Sequence, residues 1–154
     1  AAGARMPEGY DHLVVAGPQL DDASMERARS LAGPTTTVVR TCPGLAHRIR
    51  EAAAVISMGG YNTVCEILAA DTPALIVPRE VPRLEQTIRA RALAGAHLID
   101  TLSQADATPE ALSRWLNGAV TTRTDRSRIA RGGLAAAAHA AMTLIAPDND
   151  GDLQ

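Results

Sequence analysis

The residues best placed to do chemistry lie in one stretch, Ser57-Met58-Gly59-Gly60-Tyr61-Asn62-Thr63-Val64-Cys65-Glu66. Gly59 and Gly60 can take positive φ and let a ligand approach bare backbone. Asn62 or Thr63 is a good N-cap for a helix that follows. A helix start behind two glycines is an anion site, because its free N–H groups point outward and its dipole is positive there. Glu66 lies one turn on, roughly 6 Å down the axis from Asn62 at about 1.5 Å per residue. Asn62, Thr63 and Glu66 share a face at i, i+3 and i, i+4 spacing. A carboxylate at that depth suits the vicinal diol of a ribose, from which it can accept two hydrogen bonds. The pattern therefore points to a nucleoside diphosphate, with phosphates on Gly59, Gly60, Asn62 and Thr63 and the ribose on Glu66. Read blandly, the glycines serve only a strand-to-helix turn and Glu66 is an exposed helical carboxylate.

The elements that must position these groups read as alternating strands and helices. Ala54, Val55 and Ile56 are apolar without alternation, as in a parallel strand covered on both faces. Val64, Ile67 and Leu68 fall on one apolar helical face. Upstream, residues 11–18 read as a strand. Asp21 or Asp22 caps a helix running to about Leu31, with Met25, Ala28 and Leu31 inward. Residues 35–40 form a β-branched strand, and 43–53 a helix with Leu45, Ile49 and Ala52 inside. Downstream, a strand over 74–77 is bracketed by Pro73 and Pro78. A helix over 84–94 ends at Gly95 in the C′ position. Residues 96–99 read as a fifth strand. Thr108 and Pro109 open another helix, with Pro at its first position, and 123–145 is helical and alanine-rich. This order predicts an α/β fold: a Rossmann-like parallel sheet with helices on both faces. Ligands then bind beyond the carboxyl ends of the strands. Gly17-Pro18, Arg40-Thr41-Cys42, 57–61 and 78–82 converge there.

Three motifs in order carry a family resemblance: S-M-G-G-Y-N-T-V-C-E at 57–66, P-A-L-I-V-P at 73–78 and E-Q at 85–86. Together they resemble the C-terminal, donor-binding domain of two-Rossmann (GT-B) glycosyltransferases of the family 28 type, the group that includes lipid II-forming N-acetylglucosaminyltransferases. The resemblance is specific over about 54–95 and weaker over about 10–145. It implies one half of a GT-B fold and a metal-independent hexosyltransferase that uses a UDP-sugar as donor substrate, with no cofactor. It puts the uridine ribose on Glu66, the phosphates on the Ser57–Thr63 turn and the donor sugar on Glu85 and Gln86. It further implies that the acceptor site and general base belong to an N-terminal domain, leaving the catalytic residue of this chain unknown. Where the lipid II enzymes commonly carry Arg after the Ser, this chain has Met58. The family domain also begins with one more strand and glycine-rich loop, which is not seen here. Two rival readings are a non-catalytic nucleotide-sugar binding module and an epimerase of the same two-domain architecture.

Composition sets the bounds. A chain of 154 residues with 46% hydrophobic and 21% charged residues is long enough for one sizeable core. Residues 1–9 read as the end of a truncated unit, 10–146 as the binding domain and 147–154 as a disordered tail. A net charge of −2 makes no case for nucleic acid or an anionic membrane. All fifteen basic residues are Arg, so no lysine nucleophile or Schiff base is available. Cys42 and Cys65 match no disulfide framework or metal motif and fit a reducing cytosol. The four histidines show no metal spacing. Arg79, Arg83 and Arg89 could neutralise diphosphate charge. The expectation is a bacterial, cytoplasmic donor domain that binds without turnover and meets the membrane only through the missing domain.

Overall fold

The computed structural model describes residues 5–79 and 84–129. In chain order the elements are β1 His12–Val15, α1 Asp22–Ser30, β2 Thr36–Val39, α2 Leu45–Glu51, β3 Val55–Ser57, α3 Tyr61–Leu68, β4 Ala74–Ile76, α4 Leu84–Gly95, β5 Asp100–Thr101 and α5 Pro109–Ala119. Every strand pairing is parallel, with Val14 opposite Val38, Ile56 opposite Leu75 and Ile76 opposite Thr101. The expected parallel α/β fold is thus present, but in two sheets, β1-β2 and β3-β4-β5. Among the described residues β3 pairs with β4 alone. The expectation that it is covered on both faces is corrected by Ile56, which is 39% exposed. The fully covered strand is β4, whose three residues are all buried between two partners.

The main core joins Ile49 of α2, Ile67 and Ala70 of the α3 region, Ala74 and Ile76 of β4, Ala90 of α4 and Ile99, with Leu45, Val55, Leu93 and Ala94 packed on it. Local chemistry explains most element ends. Asp21 accepts the Ser24 N–H at 2.8 Å and starts α1. Thr108 accepts the Ala111 N–H at 3.2 Å and starts α5, with Pro109 in its first turn. α2 begins only at Leu45, because Gly44 is left-handed at φ 71°. Leu31, expected inward, is 58% exposed because α1 has already ended at Ser30.

The end of α4 also differs from expectation. The Leu98 N–H bonds to the Leu93 carbonyl and the His97 N–H to that of Ala94, closing a Schellman turn. His97, not Gly95, takes the left-handed position, at φ 58°. That turn uses up 96–98, so the fifth strand starts at Asp100 rather than within 96–99.

Residues 123–129 are irregular rather than the start of a helix. The rest of that expected helix, and the tail over 147–154, lie outside the described residues. Within 123–129 sits a fully buried Arg126. Its guanidinium donates to the carbonyls of Leu98, Ala70 and Thr72 at 2.7–2.9 Å.

Candidate functional site

The site is built on the turn between β3 and α3. Gly59 is buried with φ +77°, and an added Cβ would lie 2.7 Å from the Ile76 Cγ2 atom. Only glycine fits there, for both backbone and packing reasons. The Ser57 hydroxyl accepts the Gly59 N–H at 3.1 Å. Ser57 therefore shapes the turn, and the Gly59 N–H is already committed inside it. Gly60 is the N-cap, with no side chain to cap the helix. This corrects the assignment of the cap to Asn62 or Thr63, which occupy the second and third helical positions. The first internal helical bond is from the Val64 N–H to the Gly60 carbonyl at 2.9 Å. The N–H groups of Tyr61, Asn62 and Thr63 thus have no acceptor within the helix. They form a positive helix tip that begins at Tyr61, two residues after Gly59.

Glu66 lies one turn down this helix. Its side chain is half-buried, and Oε2 is buried without a hydrogen-bond partner among the described residues. A buried carboxylate oxygen without a donor is costly and invites one. Val64 and Ile67 face the core on the opposite side.

α4 meets this tip through Arg89. Its Nη1 donates to the Gly59 carbonyl at 3.4 Å, its guanidinium carbon lies 5.4 Å from the centre of the Tyr61 ring, and Nη2 is ion-paired with Glu85. Glu85 is exposed, while the Gln86 Oε1 accepts the Arg79 N–H at 3.2 Å. The turn over 57–66 and the pair Glu85 and Gln86 are therefore brought to one end of the β3-β4-β5 sheet. Tyr61, 67% exposed against Arg89, was not singled out in the sequence, where a lone Tyr after two glycines carries no pattern.

The other arginines serve elsewhere. Arg40 at the end of β2 bonds to the Leu20 carbonyl and to Asp22, tying the strand end to the start of α1. Arg79 is exposed, and Arg83 lies outside the described residues. An open cavity of about 380 Å³, lined by Asp71, Arg123, Thr124, Asp125 and Ser127, sits by the amino end of β4, away from Gly59. Among the described residues no cluster of His, Cys, Asp and Glu could hold a metal ion. No helix of the described residues is long and apolar enough to cross a membrane. Burial pushes the His12 imidazole below its ordinary value.

Parallel strands joined by helices, with a glycine turn and helix tip at their carboxyl ends, define an α/β domain of Rossmann-like type. Comparison with known proteins is specific. Residues 6–143 match the glycosyltransferase family 28 C-terminal domain, and the chain belongs to that family. It is 33% identical over 103 residues to the UDP-N-acetylglucosamine--N-acetylmuramyl-(pentapeptide) pyrophosphoryl-undecaprenol N-acetylglucosamine transferase of Rhizobium rhizogenes, covering 66% of this chain and 28% of that protein. The chain thus spans little more than a quarter of that relative. Among solved structures it is similar to MurG of Acinetobacter baumannii, with TM-score 0.57, 19% identity, and 80% of this chain and 46% of that one covered. It is likewise similar to the calicheamicin glycosyltransferase, with TM-score 0.54, 16% identity, and 96% and 46% covered. The fold is one half of the GT-B architecture.

Proposed function

We propose that this chain is the nucleotide-sugar donor domain of a glycosyltransferase that moves a hexosyl group from a UDP-sugar to an acceptor hydroxyl. The observation that carries the reading is the unpartnered, buried Oε2 of Glu66 one turn below an uncapped helix tip. That spacing matches a ribose and the diphosphate attached to it. The UDP-sugar specificity of the Rhizobium rhizogenes relative supports uridine as the base.

In this reading the acceptor oxygen attacks the anomeric carbon as the bond to the diphosphate breaks. The N–H groups of Tyr61, Asn62 and Thr63 stabilise the charge that builds on the departing diphosphate. Glu66 fixes the ribose, and Glu85 and Gln86 meet the sugar hydroxyls. No metal ion enters the scheme. The general base and acceptor site lie in an N-terminal domain, so the chain by itself binds donor without turning it over.

Calorimetric titration with UDP, UDP-N-acetylglucosamine, TDP and GDP tests this, on the chain and on the full-length protein. Uridine nucleotides are expected to bind selectively. Glu66→Gln loses a charged hydrogen-bond acceptor, worth about 1.5–3 kcal/mol, or roughly tenfold to a hundredfold in Kd. Equal affinity for all four ligands, or an unchanged Kd in Glu66→Gln, refutes the assignment.

A further inference from the structure

The helix tip carries only about half a positive charge, whereas a nucleoside diphosphate brings several negative ones. The chain contains no lysine. Among the described residues Arg89 is the arginine in hydrogen-bond contact with the turn, through the Gly59 carbonyl at 3.4 Å. Its guanidinium is held in place on the Tyr61 ring, 5.4 Å from the centroid. Its present partner, Glu85, sits on the same helix at i, i+4, and the side chains of Arg89 and Glu85 are 23% and 71% exposed. The cation is therefore anchored and the carboxylate is loose. An exposed pair of this kind is weak, and a phosphate can replace the carboxylate on the planar fork. Two of the five guanidinium donors are engaged, by Gly59 and Glu85.

Building on the donor reading, we propose that Arg89 is the residue by which this site selects a diphosphate over a monophosphate or a nucleoside. On binding, its guanidinium exchanges the Glu85 carboxylate for phosphate oxygens. The exchange frees Glu85 to accept hydrogen bonds from the sugar hydroxyls. Phosphate recognition by α3 and sugar recognition by α4 are thereby coupled through one side chain. Arg89 also keeps the Gly59 carbonyl turned towards α4, which holds the turn at the correct distance from that helix.

The test is titration of the full-length protein and its Arg89→Gln, Arg89→Lys and Glu85→Gln variants with uridine, UMP and UDP, with circular dichroism to verify folding. Arg89→Gln is expected to weaken UDP by tenfold to a hundredfold and uridine by less than twofold. Arg89→Lys restores part of the loss, since charge returns without the fork. Glu85→Gln is expected to bind UDP more tightly than the unmodified protein, because the competing carboxylate is gone. Equal weakening of uridine and UDP in Arg89→Gln would show that the residue merely supports the turn, and would overturn the proposal. Unchanged UDP binding in Arg89→Gln overturns it while leaving the donor reading intact. No UDP binding by the unmodified protein overturns both.

Discussion

Replacing Gly59 by alanine is the sharpest test of how the turn is built. The new Cβ would sit 2.7 Å from Cγ2 of Ile76, a residue 1% exposed in the middle strand of its sheet. Ile76 has hardly any room to yield, and overpacking of this kind costs about 1–3 kcal/mol. The φ of +77° adds about 1–2 kcal/mol for an L-residue in the left-handed region. The unfolded chain becomes less flexible, which returns about 0.4–1 kcal/mol. The net expectation is a loss of roughly 2–4 kcal/mol, lowering Tm by roughly 5–12 °C for a chain of this length. Gly60→Ala is the control. Its φ is −57° and an added Cβ meets nothing within 4 Å. It should change stability by less than about 1 kcal/mol, the loss of a glycine cap offsetting the gain in the unfolded state. Thermal and urea unfolding of the two variants, followed by Trp115 fluorescence, separates them. If Gly59→Ala unfolds with Gly60→Ala, neither the left-handed turn nor the Ile76 contact is what holds this loop.

Two further outcomes concern residues away from the site. Arg126→Met removes the donors to the carbonyls of Leu98, Ala70 and Thr72; each buried acceptor left unpaired costs about 1–3 kcal/mol, so urea titration should show a loss of about 3–5 kcal/mol. His12 has its pKa lowered by burial, so the unfolded chain binds the proton more readily than the folded one. Stability should therefore fall as pH drops below about 6.5 and level off beneath the depressed folded value, and His12→Gln should flatten that slope in urea titrations followed by circular dichroism.

What the sequence made legible was local. Asp21, Thr108 and Pro109 announce their helices because a cap is a contact within three residues. The glycine turn between β3 and α3 could be read for the same reason: strand, turn and helix start are neighbours in sequence. The misreadings needed distant information. Ile56 looks like the residue of a buried strand, yet its side chain is 39% exposed on the sheet face, which local pattern could not show. Gly95 is the obvious stop for α4, yet the bond from Leu98 to Leu93 carries the left-handed turn on to His97. Arg126 sits among polar surface-like residues, and its burial depends on carbonyls 28 to 56 positions away. Arg89 reads as one arginine among several until the fold sets it against Gly59 and Tyr61.

Among the described residues the strands pair in two sheets, and the two are expected to differ in stability. The main core cluster draws on residues from Ile49 onward, whereas the stretch from β1 through β2 contributes Met25 as its fully buried hydrophobic side chain. The β1-α1-β2 segment is thus expected to be the less protected unit and to open before the rest. Trp115, the chain's sole tryptophan, is bonded to Asp100 of β5 at 2.7 Å. Its emission reports the β3-β4-β5 unit, and backbone circular dichroism reports both. A gap between the two unfolding curves measures the independence of the segment whose strands end at Gly17 and Arg40.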